Sequence, residues 1–265
     1  MANRPIFISL CKTDHLVKEI YFDFKWNPGF AVVQKKKNIL ALHEAANKSG
    51  YKPLLEVSSK SEDIIGQRLS AFSLKIETKI GPISIESAFQ GSKVFEHGGP
   101  YKDIYKYTSL EAKKDKRIRN SGKIIAFNFM GLKWPNVPKT SFYDWLYIKA
   151  LYPHRDYLKR LFQYKGFTDI EFNPKRSINC QARTCALLVS LMKLDLLDKA
   201  ISSQSEFIKI VTHDSLKKRH SIDLQQGDLF DIPTTQTTDT GLTNKDRLCE
   251  ERTTILSDWL DKPRI

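Results

Sequence analysis

The sequence is short of the residues that staple, anchor or ligate. It has four cysteines among 265 residues, Cys11, Cys180, Cys185 and Cys249. None forms a C-x-x-C pair, and a chain of this length does not depend on two disulfides for its fold. No apolar run approaches the roughly 20 residues that a membrane-spanning helix needs. The brief apolar run Pro5–Cys11 has no cleavage signal behind it. These absences read as a reduced, cytoplasmic protein with no membrane partner. Gly91-Ser92-Lys93-Val94 lacks the Gly-Lys-Ser/Thr order of a phosphate loop, and no dinucleotide fingerprint is present. His43-Glu44 is half of a zinc-protease motif, but position 47 is Asn where the second His would stand. Neither a metal nor another cofactor is expected.

Positive charge is what the chain has in excess. The formal net charge is +13. From Ile201 onward nine Lys and Arg face eleven Asp and Glu, so the first 200 residues carry 34 basic groups against 19 acidic ones. A folded body that basic suits a polyanionic partner or substrate, nucleic acid or phosphate, although solubility alone is a second explanation. The apolar content and fifteen phenylalanines are enough for one large core.

Local patterning predicts a helix-rich α+β domain with a few short strands. Strands are expected over Lys18–Trp26, Tyr51–Ser58, Lys123–Phe129 and Phe167–Asn173, bounded by turn residues such as Asn27-Pro28-Gly29. Helices are expected over Gln34–Ala46, with Ile39, Leu42 and Ala46 inward, and over Ser109–Ser121, Phe142–Tyr152 and Ser177–Met192. Gly131–Thr140, with two prolines, reads as a loop. Gln225–Asn244 has few apolar anchors and reads as a linker, and a short helix is expected over Lys245–Leu260. The organisation is then an N-terminal extension (1–60) packed on a core (61–200), followed by a polar C-terminal region (201–265).

The stretch Ile83–Pro100 carries the most chemistry. Glu86, Gln90 and Lys93 stand at offsets of zero, four and seven, which on a helix ended by His97-Gly98-Gly99-Pro100 puts them on one face. A carboxylate, an amide and an amine on one face suit chemistry at a sugar–nitrogen bond; a wet amphipathic face is the plain alternative. Asp144, Trp145 and Lys149 group on a later helix, where an indole one turn from an ammonium could hold a flat base beside its phosphates. Glu171 ends a strand before Pro174. Asn179, Gln181 and Arg183 sit at a helix entrance whose free N–H groups could bind an anion.

Taken in order, these residues resemble the NADAR (YbiA-like) family of N-glycosidases. Leu69-Ser70-Ala71-Phe72 stands in place of the family's Leu-Ser-Asn-Phe-type segment, and Glu86, Gln90 and Lys93 match its Glu/Gln/Lys motif. Asp144, Trp145 and Lys149, then Ile170, Glu171 and Pro174, match two later motifs. Ser87 and Ala88 replace the family's His and aromatic, and Lys175–Ile178 shortens a Trp-Gly region. With its Trp26-Asn27-Pro28-Gly29-Phe30 front, the chain looks like the divergent NADAR antitoxins paired with DarT-type toxins, transferases that ADP-ribosylate guanine in DNA.

The resemblance implies a hydrolase that removes ADP-ribose from DNA, with ADP-ribosylated DNA as substrate and a cognate ADP-ribosyltransferase toxin as possible partner. It implies Lys93 as nucleophile or proton-transfer group and Glu86 or Glu171 as the carboxylate that activates water. Gln90, Asp144 and Trp145 would position the substrate, with Asn179 and Gln181 at the helix entrance. Lys149 and Arg183 would meet the diphosphate. The reverse assignment, Lys149 reactive and Lys93 a phosphate clamp, is equally compatible with spacing. Two other functions fit the chain: an antitoxin acting by contact alone, through the first 60 residues or the acidic tail, and an N-glycosidase of a phosphorylated metabolite.

Overall fold

The computed structural model describes residues 1–13 and 15–215; the expected linker and terminal helix beyond Gln225 lie outside them. The chain begins with strands β1 (Ala2–Lys12) and β2 (His15–Phe24), helix α1 (Val32–Lys48) and strand β3 (Leu54–Glu56). Next come α2 (Ile64–Arg68), β4 (Lys75–Ile76), β5 (Ile83–Ser84), α3 (Ile85–Gly91), β6 (Lys93–Phe95), α4 (Ser109–Lys114), α5 (Arg117–Asn120), β7 (Ile124–Phe129) and β8 (Leu132–Pro135). It continues with α6 (Ser141–Leu151), α7 (Arg155–Leu158), β9 (Gly166–Thr168), α8 (Gln181–Lys193), α9 (Leu197–Ser202) and α10 (Gln204–Ser215).

The main sheet has the order β2-β1-β9-β3, with β1 antiparallel to both its neighbours and β3 parallel to β9. The alternation test does not find β1, because Ile6 and Phe7 are adjacent and both apolar. Neighbouring strand residues point to opposite faces. Here both faces are covered. Ile6 packs with Phe24, Ile39, Leu42, Ala46 and Ile170 beneath α1, whereas Phe7 joins the main core. Ile39, Leu42 and Ala46 are the inward residues that the helical spacing predicts. This α+β arrangement forms one domain, as expected.

Helices α6 and α8 run through the middle. Every residue of α6 except Lys149 is buried, and an aromatic cluster of Phe89, Phe127, Trp134, Phe142 and Trp145 surrounds its first turns. On α8 the run Thr184–Leu191 is buried throughout. Full burial of this kind erases the amphipathic signal and leaves only length and apolar content to mark the helix.

Four local expectations need correction. The basic stretch Ser109–Ser121 is two short helices, α4 and α5. They part at Asp115, which is extended (φ −59°, ψ 124°) and whose carboxylate binds the Arg117 side chain at 2.7 Å. The loop Gly131–Thr140 contains β8, paired to β7 with Trp134 opposite Phe127. The expected strand Phe167–Asn173 ends at Thr168, and Glu171 lies in the turn after it. The expected strand Tyr51–Ser58 is confined to Leu54–Glu56.

Candidate active site

Helix α3 opens directly from β5, with the Ser84 hydroxyl capping it by accepting from the Ser87 N–H at 3.1 Å. It ends at Gly91, so Lys93 is not on the helix that carries Glu86 and Gln90. Tertiary partners take the chain away there. The Asn128 N–H donates to the Ser92 carbonyl at 2.7 Å, and Lys93 pairs with Phe127 across the β6–β7 ladder. A Cβ on Gly91 would stand 2.7 Å from the Tyr105 ring, so only glycine lets the helix end pack against it. The later glycines do not stop the helix. They turn the chain back after β6: Gly99 has φ +78°, and a Cβ there would meet the Lys93 carbonyl oxygen at 2.3 Å.

Glu86, Gln90 and Lys93 nevertheless come together. Gln90 Nε2 donates to Glu86 Oε1 at 2.8 Å, and Lys93 Nζ sits 4.8 Å from the centre of the Phe89 ring. Lys93 is only 7% exposed. Burial pushes its ammonium down from 10.5 to about 8; the nearby Glu86 charge opposes that fall, and Lys113 adds to it. The cation over the aromatic face recovers part of the lost hydration. Gln90 Oε1 is buried with no hydrogen-bond partner among the described residues. Such an acceptor is costly unless something donates to it.

Of two aromatic groups that residue spacing does not single out, Tyr143 joins this cluster and Phe72 lies beside Lys113. Tyr143 meets Phe89 edge-on at 5.3 Å. Its phenol is held well above its ordinary pKa, first by burial and then by the charge of Glu86, with smaller contributions from Cys180, Asp169 and Asp144. It therefore stays protonated, and its hydroxyl makes no hydrogen bond among the described residues. Phe72, from the Leu69-Ser70-Ala71-Phe72 segment, is 47% exposed, with Lys113 Nζ 5.7 Å from its ring centre. The segment's place in the ordered motif set was the available signal for Phe72; for Tyr143 it was adjacency to Asp144.

The other predicted residues divide into structural and peripheral groups. Gln181 is buried and ties two loops together: its Oε1 accepts from the Ala71 N–H at 2.8 Å, and its Nε2 donates to the Val57 carbonyl at 2.6 Å. Asp144 is buried and accepts from Arg183 Nη1 at 2.9 Å and from Thr184 Oγ1 at 2.5 Å. Asn179 precedes α8, and its Oδ1 is buried without a hydrogen-bond partner among the described residues. At the start of α8 the N–H groups of Ala182 and Arg183 face the Cys180 sulfur. Glu171 is paired to Lys35 at 3.2 Å, and no hydrogen bond or ion pair joins it to Glu86 or Lys93 among the described residues. Trp145 packs on Trp134 at 5.1 Å, and Lys149 lies 6.0 Å over the Tyr152 ring. Both line a cavity of about 620 Å³ that Glu86, Gln90 and Lys93 do not line.

A second set of titratable groups sits under β3 and β9. Glu56 accepts from Ser58 Oγ, Thr168 Oγ1 and the Ile170 N–H, and burial raises its carboxyl despite those donors. Asp169 next to it is held well above its ordinary value, by burial and then by the Glu56 charge. His43 bonds Thr168 Oγ1 at 2.8 Å and is pushed down to about 4 by burial. Among the described residues no group of three or more His, Cys, Asp or Glu is placed to hold a metal ion, and no helix is long and apolar enough to cross a membrane.

A family model for the DarT1-associated NADAR antitoxins matches residues 2–221. No curated protein matches the chain. The matched region includes every motif that places a side chain at the Glu86–Lys93 cluster. The chain belongs to the family of DarT1-associated NADAR antitoxins.

Proposed function

We propose that the protein is an N-glycosidase that removes ADP-ribose from modified guanine in DNA, and so reverses the action of a DarT-type toxin. The observation that carries this reading is the Lys93 amine: buried, beside Glu86, with a pKa brought to about 8. An amine of that kind is partly neutral at physiological pH and can act as a nucleophile. Lys149 lies at the edge of a cavity that Glu86 does not line.

In the proposed reaction the Lys93 nitrogen bonds to C1′ of the ribose as the C1′–base bond breaks. The proton shed by the amine reaches the departing base nitrogen through the Glu86 carboxylate. Positive charge building at C1′ is stabilised by the same carboxylate. Water then adds at C1′, releasing ADP-ribose and restoring the amine. The unpaired Gln90 Oε1 accepts from a ribose hydroxyl, and the Tyr143 phenol donates to the substrate. Arg183, held by Asp144, faces the diphosphate, and Phe72 with Lys113 lies at the rim.

The test is release of ADP-ribose from modified DNA by purified variants. Lys93→Ala and Glu86→Ala should fold as wild type and lose at least ~100-fold, the loss typical of one acid–base group. Wild-type rates in both would end the assignment. A contact-only antitoxin is favoured by one observation: Phe30, two residues before α1, is 98% exposed, with Val33 and Leu40 of that helix also exposed. Protection of cells by Lys93→Ala against a co-expressed toxin would support that second reading.

A further inference from the structure

The cavity that holds Trp145 and Lys149 is not explained by chemistry at Lys93. It encloses about 620 Å³, within the range of ligand sites. Phe129, Trp145, Ile76 and Ala150 are buried and make an apolar floor, while Lys75, Lys79 and Lys149 stand around it against one carboxylate, Glu77. None of the three lysines makes an ion pair among the described residues, in contrast with Lys35, Lys36, Lys48, Lys159 and Lys199. An apolar floor with two aromatic rings, and cations without ion pairs among the described residues at its rim, has the chemistry to take a nucleotide of single-stranded nucleic acid: a base packs on the floor and its phosphates meet ammonium groups.

The position is as informative as the composition. Tyr143 and Trp145 are two residues apart on α6 and so lie on opposite sides of it. Tyr143 faces Phe89 and the Lys93 cluster, and Trp145 faces this cavity. A helix with its side chains is about 10–12 Å across. That is roughly three nucleotides of strand at 3.4 Å each. The β4–β5 hairpin joins the two places. Lys75 is paired with Ser84, and Glu86 is only two residues further along.

We infer that this cavity binds a nucleotide of the DNA strand flanking the modified one. The inference takes DNA as substrate from the function proposed above and adds a second contact that reads the strand rather than the ADP-ribose. It makes the substrate a single-stranded or locally opened segment, because a stacked base in a duplex cannot enter the cavity.

The experiment measures binding of the full-length protein to an unmodified, fluorescently labelled single-stranded oligonucleotide by anisotropy over a salt series. Wild type should bind, and the double variant Lys75→Ala/Lys79→Ala should bind about tenfold or more weakly at 0.1 M salt. Its plot of log K against log salt should be shallower by about 1.4, at 0.7 per lost phosphate contact. The same variant should release ADP-ribose from a modified mononucleoside at the wild-type rate. Absence of wild-type binding, or an unchanged affinity and salt slope in the variant, would overturn the inference. An equal loss on the mononucleoside would do so too, by placing the lysines at the reacting nucleotide. Because the binding arm uses unmodified DNA, it stays readable even if no ADP-ribose release is ever observed.

Discussion

Replacing Lys93 with methionine should make the protein more stable while abolishing release of ADP-ribose. Methionine keeps the length of the stem and offers a polarizable end to the Phe89 face. The size of the gain follows from the ammonium, whose pKa falls from 10.5 to about 8 on folding. At 1.36 kcal/mol per tenfold change in protonation, the charged form is worse off in the folded protein by about 3 kcal/mol at pH 7. Methionine carries no such cost, so the variant should be about 3 kcal/mol more stable at that pH. The direction with pH is set by the lowered value. Between about 8 and 10.5 the unfolded chain holds more protons on this group than the folded one, so wild-type stability gains from it as pH rises. The gap between variant and wild type should shrink to about 1 kcal/mol by pH 10. Urea unfolding of both proteins at pH 7 and pH 10 reads the gap as a difference in midpoint. A methionine variant no more stable than wild type at pH 7, with a gap that ignores pH, would refute the claim that a buried ammonium is held at a cost. The trade is one expected of a functional group kept in an unfavourable place.

Three further outcomes follow from the same geometry. The rate of ADP-ribose release should rise with pH and level off above about 8, and residual activity in Glu86→Gln, lower by ~100-fold, should show a midpoint moved to lower pH, since the Glu86 charge supports the ammonium; pH–rate profiles of both proteins check this. Asp144→Ala should cost about 3 kcal/mol by removing the buried carboxylate to which Arg183 and Thr184 donate, whereas Lys149→Ala at the cavity edge should change stability by no more than ~0.5 kcal/mol; denaturant midpoints compare them. His43, neutral in the fold with its pKa at about 4, gives stability that is fully present above pH 6.5 and is lost as pH falls toward 4, by up to about 3 kcal/mol; the acid limb of a stability–pH curve should be shallower in His43→Gln.

The legible parts of this protein are those set by local pattern or by ordered motifs. The inward residues of α1 follow from helical spacing because solvent bathes its other side. Strand β1 is hidden because both its faces are covered, which removes the alternation a half-buried strand would show. The Glu86–Gln90 hydrogen bond follows from a separation of four on a helix, and it is present at 2.8 Å. The placement of Lys93 on that helix does not follow, since the β6–β7 ladder and the Tyr105 ring claim the chain from residue 91 onward. Its closeness to Glu86 survives by a different route, through the Phe89 ring. Trp145 and Lys149 share one side of α6 as their spacing requires, and that side borders a cavity that Glu86, Gln90 and Lys93 do not line.

By itself the sequence determined the excess of positive charge, the α+β class and the order of motifs, because composition and short-range periodicity are properties of the chain whatever it packs against. Only the tertiary structure decided which lysine is buried, which glutamate feels its charge and which tryptophan borders a cavity. Burial and electrostatic coupling depend on atoms brought together from distant segments, and no local spacing encodes the dielectric around a side chain.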